Sequence, residues 1–182
     1  LLLLIGTSML DGFYGSYYNL NQLVFDAFDA PVSIIGIFFG ASYAVNATAY
    51  IAADFFSSRF GKRNTMLGSM LIEAGLFMIL PWFASNPLCL FGLSMALCFL
   101  PEVVYITSEN LIQDAIADDL RATVLSVASL VRALFSAMFF SIFGYVLGLY
   151  PIQIALGVIG AIAIAITAVV SLKMVGIQVS KN

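Results

Sequence analysis

The chain has no histidine, and only 9% of its 182 residues are charged. Without an imidazole there is no His ligand for a haem or a metal, and no Ser/His or Cys/His nucleophile pair. A soluble domain carries about a quarter of its residues charged, so charge this sparse excludes an ordinary water-soluble fold. Cysteine is scarce too. Cys89 and Cys98 share one apolar run; on a helix they lie about 13 Å apart, too far for a disulfide. Both read as small apolar filler. No cofactor and no nucleic-acid partner follow from this inventory, and the net charge of −3 sits mostly on embedded or short-loop residues.

What the sequence has instead is apolar length. Hydrophobic residues make up 62% of it and the mean hydropathy is +1.06, while a helical span needs roughly 20 predominantly apolar residues. Breaks fall at Asp26–Pro31, at the basic stretch Ser57–Arg63, at Ala84–Pro87, at Ala117–Arg121 and at Gly148–Pro151. They leave six spans, at about 1–24, 31–56, 64–83, 88–116, 122–147 and 152–172. The expected fold is an all-α membrane protein forming one six-helix domain over 1–182. The start at Leu1 has neither a basic flank nor a small-residue cleavage site, so it does not read as a signal peptide. A helix opening in mid-stretch reads as part of a longer chain.

Arg59, Lys62 and Arg63 lie in the second connection, Arg121 in the fourth, and Lys173 and Lys181 near the end, so six of the seven Lys and Arg fall on one side. The positive-inside rule makes that side, and with it both termini, cytoplasmic. The expected location is a multi-pass protein of a bacterial inner (plasma) membrane.

The stretch Arg59-Phe60-Gly61-Lys62-Arg63, between spans two and three, resembles the signature loop of the major facilitator superfamily. There a glycine makes the turn and basic residues hold neighbouring helix ends. Ser58 stands where that family usually has an acid, and Asp54, a helical turn earlier, where it often has glycine. Glu109-Asn110, the run from Asp118 to Ser126 containing Arg121-Ala122-Thr123, Arg132 and Gly144 are similar to the tenth and eleventh helices of bacterial members. The resemblance implies that the chain is the C-terminal half of such a transporter, helices seven to twelve. It also implies a second six-helix half, either a missing N-terminal half or a second subunit. Spans one, two, four and five would line a cavity, and spans three and six would face lipid.

An ionisable group at mid-membrane is expensive unless it is paired or faces water, so each is a candidate for function. Asp11 lies near the midplane of span one, with Tyr14, Gly15, Tyr18 and Gln22 following at helical spacing. In span four Glu102, Tyr105, Glu109 and Gln113 form one stripe beside Pro101, whose missing N–H favours a kink. Arg132 in span five needs a partner, and Glu109 or Glu102 is the nearest by depth. In span two Tyr43, Asn46 and Tyr50 share a face, a pattern that also suits close helix packing. Glu73 is the misfit: in a peripheral helix it should be protonated or turned towards a neighbour. Span six reads as scaffold.

The expected function is secondary active transport of a small-molecule substrate by alternating access, coupled to protons, within the lipid bilayer. Asp11, Glu102 and Glu109 are placed to carry the proton, and an acidic, aromatic cavity suits a cationic or lipophilic solute, as in efflux. Asn and Gln beside aromatics equally suit a sugar or a metabolite. Two other classes are a six-helix intramembrane enzyme of aspartyl type and a channel or structural membrane subunit. No enzyme activity is expected.

Overall fold

The computed structural model describes the backbone of residues 2–179 and the side chains of residues 4–172. Six α-helices follow one another: α1 (Leu2–Ala27), α2 (Val32–Phe60), α3 (Lys62–Phe83), α4 (Pro87–Asp114), α5 (Arg121–Leu149) and α6 (Ile152–Val179). A single 3-10 turn, Asp118–Leu120, precedes α5, and no strand occurs among the described residues. Helices α2 to α6 are each long and apolar enough to cross a membrane, as in an integral, multi-pass membrane protein.

Helix α1 equals them in length, with 26 residues or about 39 Å, but not in apolarity. Asp11, three tyrosines, Asn19, Asn21 and Gln22 lower it. The reason is its place in the bundle. It packs on α4, α5 and α6 and meets α2 where Phe25 abuts Phe38 and Tyr18 bonds Ser42 at 3.1 Å. Asp11, the tyrosines and Asn21 are buried or half-buried there and face no lipid, whereas Asn19 and Gln22 are exposed.

Each break behaves according to its local chemistry. Asn86 caps α4, its Oδ1 accepting from the backbone N–H of Leu88 (3.0 Å) and Cys89 (3.3 Å), with Pro87 in the first turn where its missing donor costs nothing. The expected seven-residue basic loop contracts to one residue: α2 runs on to Phe60 and α3 starts at Lys62. Ser58 allows this by turning its hydroxyl back onto the Phe55 carbonyl at 2.8 Å, and Gly61 makes the whole turn at φ 83° and ψ 145°. That backbone region is close to glycine-only. We expect Gly61→Ala to lose about 1–3 kcal/mol and to melt below both wild type and Gly36→Ala, a helical control whose new methyl meets nothing within 4 Å. Equal melting of the two variants is the contrary result. At the far end, α6 runs beyond the expected end of the sixth span at 172, as far as Val179; Lys181 lies outside the described residues.

Consecutive helices run antiparallel, so the α2–α3 and α4–α5 connections share one face with the start of α1. Leu4 packs there against Ile112 and Ala128, and Lys62 pairs with Asp114 across the ends of α3 and α4. The core centres on Phe13 of α1, whose ring stands edge-on to Phe77 (5.6 Å), Phe139 (5.4 Å) and Phe143 (4.9 Å). Among apolar tails, packing and hydrogen bonding, not hydrophobic exclusion, hold helices together.

Two seams are especially close. Gly12 lets α1 approach α5 so nearly that a Cβ on it would lie 2.7 Å from that of Phe135. Gly160 lets α6 approach α3, where the added atom would be 3.0 Å from the Phe77 carbonyl oxygen. Flanking Gly12, Ser8 reaches the Ala128 carbonyl at 3.4 Å. Ser16 shares its hydroxyl between the carbonyls of Gly12 (2.6 Å) and Ser136 (2.8 Å).

Candidate functional site

The α1–α5 seam brings an acid and a base together in the middle of the bundle. Asp11, with its side chain 8% exposed, has Oδ2 3.2 Å from Nε of Arg132. On the other side of the same guanidinium, Nη2 lies 3.4 Å from Oε1 of Glu109. Beneath it, the Tyr105 ring sits 4.4 Å from the guanidinium carbon, a cation–π contact that strengthens where water is scarce. One arginine thus joins α1, α4 and α5. The sequence reading found Glu109 as a partner and missed Asp11. Glu102, the other expected partner, makes no ion pair among the described residues.

A cavity of about 290 Å³ opens beside this cluster, lined by Asp11, Tyr14, Gly15 and Tyr18 of α1, Asn46 of α2, Glu102 and Tyr105 of α4, and Arg132 of α5. Four helices contribute to its wall, α3 and α6 contribute none, and the four are those expected to line one. Leu97, Cys98 and Pro101 complete it, so Cys98 is wall as well as filler. Pro101 lies within α4 without ending it, although it has no N–H to offer the carbonyl of Leu97 one turn earlier. Asn46 ties α2 to α4: with its amide nitrogen turned to the acceptors, it reaches the carbonyls of Ser42 (3.2 Å) and Cys98 (3.3 Å).

Other expected site residues lie elsewhere. Gln22 is exposed; it shares the direction of Asp11 around α1 but sits about 6 Å beyond Tyr18, past the cavity. Tyr43 and Tyr50 are 72% and 55% exposed, because both are turned some 40–60° around α2 from Asn46 and look outward from the bundle. Gln113 is half-buried beyond Glu109. The signature-loop residues are remote from the cavity: Asp54 and Arg59 are exposed, and Lys62 and Arg63 are half-buried at the helix ends. Glu73, in contrast, turns fully inward at 0% exposure and adjoins the Tyr14 hydroxyl, well away from lipid.

Sequence reasoning also passed over the seam residues Ser8, Gly12 and Ser16. Their spacing of four, small residue after small residue, is the signal that marks close helix approach in membranes. Among the described residues no group of three Cys, Asp or Glu is arranged to hold a metal ion. No protein-family model matches the chain, and no curated protein matches it.

Proposed function

We propose that the chain is a transporter half of the major-facilitator type, moving a small organic cation through the α1–α2–α4–α5 cavity in exchange for, or together with, protons. The observation that carries this reading is the composition of one cavity wall. Two acids, Asp11 and Glu102, line it with a single arginine and three tyrosines, and a third acid, Glu109, holds that arginine from its other side. Arg132 can balance one ionised acid, so the surplus charge is negative and Glu102 is available to a cationic solute; the tyrosine faces add cation–π attraction. A neutral sugar would make no use of that surplus.

The coupling follows from the shared guanidinium. Asp11 and Glu109 hold the same cation from opposite sides, so a proton arriving on either releases Arg132 towards the other. Such a two-state ion pair can bias a rocking motion between helices. The same arrangement disfavours the aspartyl-enzyme alternative, whose two carboxyl groups must share one proton; here a guanidinium lies between them. Basic residues on the α2–α3 and α4–α5 face favour a cytoplasmic placement of that face. Helices α5 and α2 are the least covered of the described spans, which suits a bundle completed by a second six-helix half.

The test is ethidium movement in proteoliposomes under an imposed pH gradient, with the purified full chain. Accumulation that collapses with the gradient is expected. In Asp11→Asn and Glu109→Gln, gradient-driven accumulation should fall to the background of empty liposomes while melting temperature stays near wild type. Full coupled movement in both variants removes these acids from the mechanism.

A further inference from the structure

The cavity does not use Glu73. This carboxyl group sits on α3, behind the wall, with 0% exposure, and neither of its oxygens makes a hydrogen bond of ordinary geometry among the described residues. Two more oxygens close to it are in the same condition. The Tyr14 hydroxyl of α1 adjoins both Glu73 and the Thr167 hydroxyl of α6, and all three groups are buried without a hydrogen bond of ordinary geometry. Buried polar atoms in native proteins are nearly always paired, so four unsatisfied oxygens in one spot mark a place where something labile resides.

Its surroundings narrow the choice. Phe13 and Phe77 bracket the Tyr14 ring at 5.1 and 5.8 Å, and neighbouring Met70, Ala74 and Phe77 on α3 are buried. The titratable groups that act on Glu73 are Tyr14 and Asp11, both on α1, and no cation is among them. An ionised carboxylate shut away from water and from any positive charge is strongly disfavoured. The occupant that satisfies the site without adding volume is a proton. Tyr14 is also the one member of the cluster that belongs to the cavity wall, one helical turn from Asp11.

We propose that Glu73 is a second proton-binding site, set behind the cavity and exchanging its proton with it through the Tyr14 hydroxyl. To load the site, the phenol oxygen accepts a proton from cavity water or from Asp11 while its own proton passes to a Glu73 carboxylate oxygen. One O–H bond breaks on the donor, a hydronium ion or protonated Asp11, and one on Tyr14, while one forms on Tyr14 and one on Glu73, leaving the phenol unchanged. Unloading is the reverse. The Thr167 hydroxyl can donate to the ionised form or accept from the neutral one. The role in coupling rests on the transport reading; the exchange of a proton at Glu73 does not.

The experiment is infrared difference spectroscopy of the full chain in nanodiscs, in water and in deuterium oxide, stepping the pH. Wild type should show a carboxylic-acid carbonyl band that titrates, absent from Glu73→Gln and moved but retained in Glu73→Asp. In Tyr14→Phe the band should persist while its deuterium shift appears at least about tenfold more slowly. The proposal is overturned if Glu73→Gln has the wild-type spectrum, if the band never changes with pH, or if exchange is as fast without the hydroxyl. Ethidium flux separates the two readings: no flux in wild type with the titrating band intact rejects transport and keeps the proton site. Reduced gradient-driven flux in Glu73→Gln, with unchanged ethidium counterflow, joins them.

Discussion

Replacing Arg132 with alanine should leave little folded protein in the membrane. The substitution strands two carboxyl groups, Asp11 and Glu109, that the guanidinium now holds at 3.2 and 3.4 Å, and it removes the cation from the Tyr105 ring. Breaking a buried pair by deleting one partner costs about 3–5 kcal/mol. The low end applies here, about 3 kcal/mol, because the Arg132 side chain is 24% exposed and cavity water can screen what remains. Against a marginal net stability of about 5–15 kcal/mol, that is enough to cut yield severely. Arg132→Lys should be intermediate: its single ammonium keeps the charge but cannot reach both acids in the forked geometry of arginine. Adding Asp11→Asn to Arg132→Ala should recover much of the loss. Wild-type yield and melting in the alanine variant would show that the pairing does not support the bundle.

The second large effect is expected at Gly12, the residue after Asp11. An added Cβ would lie 2.7 Å from Phe135 Cβ and 2.8 Å from the Ser136 backbone nitrogen, and backbone does not yield as a flexible side chain does. Overpacking of this kind costs about 1–3 kcal/mol even for a methyl group, and valine should exceed alanine. The functional consequence is larger than the stability loss. Wedging α1 from α5 lengthens the Asp11–Arg132 contact directly, since Asp11 precedes the glycine and Arg132 lies one turn before Ser136. We therefore expect Gly12→Ala to melt several degrees lower and to lose proton-driven ethidium accumulation. Gly36→Ala, with nothing near the new methyl group, should behave as wild type. Normal transport in Gly12→Val would mean that the seam does not set the site.

Much of the architecture was legible because hydropathy and punctuation act locally. Pro87, Pro151 and the charged pair Asp118-Asp119 interrupt apolar runs at places a bilayer-spanning helix cannot ignore. The polar faces of α1 and α4 were legible for the same reason, since a period of 3.6 residues puts Asp11 with Tyr14 and Glu102 with Tyr105 without reference to any other helix. What was not legible depends on pairs of helices. Asp11 and Arg132 are far apart in sequence, and the close α1–α5 seam at Ser8, Gly12 and Ser16 makes them neighbours. Tyr43 and Asn46 share a helix face, yet the cavity is narrow enough that a rotation of about 60° puts one inside and the other out. Glu73 is the converse case: on its own helix it looks like a charge facing lipid, and the approach of α6 at Gly160, together with Tyr14 from α1, encloses it.

The turn at Gly61 belongs between these extremes. Basic residues around a glycine announced a reversal, but its length depended on whether α2 could continue through Ser57 and Ser58. The back-bonded serine hydroxyl permits it, and the loop shrinks to the one residue able to hold a positive φ.

Most directly, the central claim is tested by asking whether water reaches the acids from one side of the membrane at a time. Asn46→Cys and Glu102→Cys, made separately in a chain with Cys89 and Cys98 changed to serine, place a thiol on the α2 and α4 parts of the cavity lining; Leu71→Cys places one on the exposed surface of α3. Labelling sealed, oriented vesicles with a membrane-impermeant maleimide, from either face and with the pH gradient reversed, reads the access. The expected result is rapid labelling of both cavity thiols from one face, switching to the other when the gradient is reversed, with Leu71→Cys unreactive from both. Cavity thiols as inert as the Leu71 control until the protein is denatured would contradict it, because the charges would then border no aqueous route.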